Sequence, residues 1–90
     1  MTKQKIYDHT NMKQVEDRIK EILDLFKRMG ITDTKETLYK QKLLFESRLQ
    51  IAKQNYENFR YTDIQDLMFQ GVEYCNIELS AINSLLNQKE

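Results

Sequence analysis

The side chains able to do chemistry are few in this chain and far apart. Histidine, the usual general acid or base near neutral pH, occurs once, as His9 in a polar leader, where it reads as a solvated or capping residue. Cysteine also occurs once, so no intramolecular disulfide framework exists; Cys75 falls on an apolar seam and reads as a small buried hydrophobe, not a reactive thiol. Zinc needs several converging ligands, which one cysteine and one distant histidine cannot supply alone. The carboxylate sites of helical bundles use a Glu-x-x-His motif, and the sequence has none. Two isolated glycines, Gly30 and Gly71, make no phosphate-cradling loop. These residues point away from an enzyme, a metal, a cofactor and a small-molecule substrate.

Binding chemistry is better represented. Lys13, Lys20 and Lys27 recur every seven residues and draw a basic line that could follow phosphates. Glu16, Asp17, Glu21 and Asp24 share that segment, and Glu16 with Lys20 and Asp24 with Arg28 have the spacing of intrahelical ion pairs, so a solvated face is the plainer reading. Gln50, Gln54, Asn55 and Asn58 with Lys53 come nearest to a groove-reading surface on the middle segment. Formal charge sums to zero, yet residues 1–60 carry 13 Lys and Arg against 9 Asp and Glu, and residues 61–90 carry 1 against 5. Asp63, Asp66 and Glu73 could therefore offer an acidic face to a basic partner, or the asymmetry could simply steady helix packing. Glu78 continues the row Leu67, Gly71 and Tyr74, with Leu85 beyond it. It reads as a boundary residue satisfied by a lysine or tyrosine, or as a buried polar contact that selects register or partner.

Three helical stripes must position these groups. Met12, Val15, Ile19, Ile22, Phe26 and Met29 step by three and four along one seam. Met68, Val72, Cys75, Leu79, Ile82 and Leu86 do the same in the last segment, with Leu67, Tyr74 and Ala81 on a flanking row. The middle segment repeats Leu38, Phe45, Ala52 and Phe59 every seven residues, with Leu49 and Tyr56 interleaved, Lys42 in one seam position, and Leu44 and Ile51 on a second row. Two apolar rows suggest a helix between two neighbours, with the middle and last helices paired and the first in their groove. Asn11 with Gln14, Asp33 with Glu36, and Thr62 with Gln65 have capping-box spacing, and Gly30 suits a left-handed helix end with Ile31 touching Phe26. Gly71 reads as a close approach between helices or as a hinge.

The fold expected is an all-α antiparallel three-helix bundle with coiled-coil-like heptad packing. Residues 1–11 form a polar leader, and residues 12–88 form one domain with helices near 12–29, 34–59 and 63–87. The first helix should span about 27 Å and the other two about 39 Å, leaving roughly two turns of the long hairpin uncovered. That end holds Tyr56, Phe59, Tyr61, Ile64, Leu67 and Met68, the candidate partner site. Its cover could be the leader through Ile6 and Tyr7, a second copy, or another protein. An outward row of Tyr39, Leu43 and Ile77 is a second candidate. The N-terminus shows no apolar signal region and no window reaches the roughly 18 apolar residues of a membrane span, so a cytoplasmic location away from membrane is expected. A coding source rich in A and T, such as a low-G+C bacterium or its phages, would suit the composition.

The function expected is a non-enzymatic protein–protein interaction module, a small regulator, inhibitor or adaptor acting on a partner protein and forming a homodimer. A small DNA- or RNA-binding helical protein is the alternative, followed by a structural subunit of a helical homo-oligomer.

Overall fold

A computed structural model describes residues 12–87; the leader, with His9, Ile6, Tyr7 and the Asn11 cap, lies outside the described residues. Three helices follow in order: α1 Met12–Met29, α2 Thr34–Asn58 and α3 Gln65–Leu86. They form an all-α three-helix bundle, 45 Å long.

Each helix end follows from local chemistry. The end of α1 is a Schellman turn: Gly30 takes φ +68, its N–H donates to the Lys27 carbonyl at 3.2 Å, and the Ile31 N–H donates to the Phe26 carbonyl at 2.9 Å. Ile31 packs on the core that contains Phe26, as the spacing predicts. The expected capping boxes behave differently. Asp33 occupies the N-cap of α2 without a side-chain bond; its carbonyl instead accepts from the Thr37 hydroxyl at 2.9 Å, while Glu36 turns forward to Lys40 at 3.5 Å. Thr62 does not cap α3 either, because its hydroxyl donates backwards to the Phe59 carbonyl at 2.5 Å. With that hydroxyl committed to the turn, α3 begins at Gln65, two residues later than expected, and α2 stops one residue earlier, at Asn58.

The middle and last helices pair as expected, and only the seat of α1 differs. α2 and α3 pair along their length, but α1 lies chiefly against α3 and only lightly against α2. The central helix is therefore α3, whose buried residues Val72, Cys75, Ala81, Ile82 and Leu85 cover a wide arc. On α2 only Leu38 and Phe45 are buried, and the second row, Leu44 and Ile51, faces out. A second apolar row shows that a helix has two sticky sides; it does not show that the same chain covers both.

Arg18 of α1 sits level with Glu78 of α3. In two parallel helices Met12 is then level with Val72, so the first turns of α3 lie beyond the reach of α1. The hairpin end expected from helix lengths to lie beyond α1 is present among the described residues.

Candidate partner-binding face

Where α1 leans away from α2, a groove of about 580 Å³ opens over α3. Its α1 wall carries Ile22, Leu25 and Met29, its α2 wall Gln41, Leu44 and Arg48, and its floor Tyr74 and Glu78. Ile31 in the α1–α2 connection lines one end. Phe45 meets Tyr74 edge-on at 5.8 Å between ring centroids, which fixes the Tyr74 ring as part of the floor.

The polar groups of the groove are not equivalent. Glu78 is 3% exposed and forms an ion pair with Arg18, which also donates to Glu21 at 3.1 Å. Burial works against the Arg18 charge, but the contacts with Glu78 and Glu21 outweigh it and hold the guanidinium pKa above its ordinary value. The carboxylate is thus satisfied by an arginine from another helix, not by the lysine or tyrosine expected, and it fixes the register of α1 on α3. Arg48 lies over the Phe45 ring, 5.1 Å from its centroid, and has no carboxylate in ion-pair reach among the described residues. Cys75 is buried, as expected; burial pushes its thiol pKa up, Glu78 adds to the rise and Arg48 opposes it.

The groove continues into the hairpin end. Leu44 and Tyr74 line it together, and one seven-residue step along each helix reaches Ile51 on α2 and Leu67 on α3, both 57% exposed. Beyond them the chain turns through Phe59, Tyr61 and Ile64, all exposed. Tyr61 is 90% exposed at φ +67, a left-handed conformation uncommon for an aromatic residue. Of the six residues expected at this site, Phe59, Tyr61, Ile64 and Leu67 are exposed, whereas Tyr56 and Met68 are half-buried. Tyr56 meets Phe69 at 5.6 Å between centroids, a packing contact inside the hairpin that the sequence reading missed.

The other candidates are scattered. Asp63 and Asp66 are exposed at the hairpin end, and Glu73 is half-buried farther along α3. Lys13, Lys20 and Lys27 are exposed on α1, but Glu16 shares their side by helical spacing and Asp24 is held by Arg28 at 2.9 Å. Gln50, Gln54 and Asn58 are exposed on α2, with Lys53 and Asn55 half-buried beside them. Tyr39 and Leu43 are exposed on the side of α2 away from the groove, while Ile77 is half-buried and packs on the core. An alanine Cβ at Gly71 would stand 3.8 Å from the Ala52 Cβ, an ordinary contact, so the approach of α2 and α3 does not demand a glycine there. Among the described residues no group of His, Cys, Asp and Glu gathers to hold a metal, and no helix is long and apolar enough to cross a membrane.

The groove was missed in the sequence because its α2 wall was read as buried. The signal was present in Leu44, Arg48 and Ile51, a row whose middle member is a cation that a buried seam would not place there. Compared with models of known protein families, with curated proteins and with solved structures, the chain matches none. Its own surface is therefore the guide to its function.

Proposed function

We propose that the chain is a non-catalytic protein-binding module whose working surface is the apolar face of the α2–α3 hairpin, continued by the groove beside α1. The observation that carries this reading is the exposed run of Leu44 and Ile51 on α2 beside Leu67 and Tyr74 on α3. Soluble monomers rarely leave a contiguous apolar patch of more than a few hundred Å² open to water, and such patches mark interaction sites. Aromatic and branched side chains on rigid helices also lose little freedom on binding, which favours them as interface anchors.

Affinity capture from a cell lysate, with and without nuclease, tests the reading. A stoichiometric protein that survives nuclease and is lost with Ile51→Glu or with Phe59→Ala/Tyr61→Ala, while helical content by circular dichroism is unchanged, is the expected result. Capture that these variants leave untouched overturns the face. Nuclease-sensitive capture that declines steeply with salt and with removal of Lys13, Lys20 and Lys27 instead selects the nucleic-acid alternative.

A further inference from the structure

We infer that the occupant of this face is a second copy of the chain, docked antiparallel so that the hairpin end of each copy fills the groove of the other. The inference rests on the reading of the face as a docking surface and adds what docks there.

Two observations converge on a second copy. The first is placement. The groove lies at the end of the face near the α1–α2 connection, and the protruding aromatic turn lies at the opposite end, at the α2–α3 connection. A two-fold axis midway between the groove and the turn, near Ile51, therefore sets each turn over the other copy's groove. A single foreign helix would fill the groove and leave Phe59, Tyr61 and Ile64 in water. A two-fold pairing uses both features twice and closes on itself, so it makes a dimer and not a filament.

The second observation is charge. Arg60 at the turn is held by Glu57, which leaves Asp63 and Asp66 without an ion-pair partner among the described residues. Among the groove's side chains Arg18 is taken by Glu78 and Glu21, and Arg48, at the edge of the groove nearer the hairpin turn, is the cation without a carboxylate. The antiparallel arrangement brings the unpaired carboxylates of one copy towards the unpaired guanidinium of the other. A parallel arrangement would set Asp63 and Asp66 against their own counterparts, a like-charge contact that disfavours it.

The test uses the full 90-residue chain and reads its mass by light scattering and sedimentation over a range of micromolar concentrations. The wild-type chain is expected at twice 10.9 kDa. Arg48→Glu alone, or Asp63→Lys/Asp66→Lys alone, should weaken the dimer about tenfold or more and leave each variant a folded monomer by circular dichroism. An equimolar mixture of the two variants should then recover the dimer, because every facing pair in the mixed dimer is again of opposite charge. A wild-type monomer throughout the range overturns the inference, as does a dimer indifferent to both charge reversals, or a mixture that stays monomeric. A monomer whose capture of another protein still depends on Ile51 overturns the second copy and leaves the docking face standing. A monomer with no such dependence overturns both.

Discussion

Helices α1 and α2 have the same average hydrophobicity and distribute it in opposite ways. In α1 most apolar residues fall on one stripe, with only Leu23 and Leu25 exposed beside it, and Val15, Ile22 and Phe26 at its centre are buried on α3. In α2 they spread around the helix; Leu38 and Phe45 are buried while Leu43, Leu44 and Ile51 stand in water. A helix needs only one covered stripe to be held in a fold. The surplus on α2 therefore contributes little to folding of the single chain and is available for binding.

Matched substitutions separate the two roles. Ile22→Ala removes a buried side chain from α1 and should cost about 3 kcal/mol of unfolding free energy in a urea titration. Ile51→Ala removes the same atoms from the outer row of α2 and should stay within about 0.5 kcal/mol at concentrations where the chain is monomeric. Equal costs would mean that the outer row of α2 is covered within the monomer, and the distinction between the helices would collapse.

A second substitution probes what ties α1 down. Arg18→Ala leaves the Glu78 carboxylate buried without its cation and should cost about 2 kcal/mol, less than a fully buried pair because Arg18 itself is partly exposed. Replacing both, as Arg18→Met with Glu78→Leu, should recover most of that loss, since the pair and an apolar contact of similar volume are close in free energy. If the double variant is no more stable than Arg18→Ala, the loss arises from the packing of the arginine stem and not from a stranded charge.

The same contrast explains what could be read from the residues. The three helices, their order and the uncovered hairpin end follow from the three-four spacing and from lengths, because periodicity reports local geometry directly. The seam residues Ile22, Cys75 and Ile82 are buried where the spacing puts them. Periodicity carries no information on which element covers a row, so the spacing that predicts a neighbour for Leu44 and Ile51 does not show that both are exposed among the described residues. The pairing of Arg18 with Glu78 was equally hidden, since the two lie 60 residues apart and only the lean of α1 against α3 joins them. Turn chemistry failed for a third reason. Thr62 and Gln65 have the spacing of a capping box, but a hydroxyl can donate to the carbonyl three residues back as readily as accept from the amides ahead.

The ends of α1 and α2 allow the last and smallest test. The turn after each helix contains a residue in the left-handed region, Gly30 at φ +68 directly after α1 and Tyr61 at φ +67 three residues past the end of α2. For Gly30 the conformation carries no steric cost, and a Cβ there would meet nothing within 4 Å, so Gly30→Ala isolates the backbone term and should cost about 1 kcal/mol. For Tyr61 the same conformation is strained in the chain as it stands, with the Arg60 guanidinium 6.0 Å from the centroid of its ring. Tyr61→Gly should therefore stabilise the monomer by up to about 1 kcal/mol, raising Tm by about 4–8 °C. The substitution also removes an exposed aromatic ring from the hairpin end, so it should weaken self-association while strengthening the fold. Opposite signs in the two measurements would identify Tyr61 as a residue kept for contact at a cost in stability. A Tyr61→Gly chain that melts lower than wild type at monomer concentration would show that the ring supports the turn, and the difference between the two turns would then be only one of residue type.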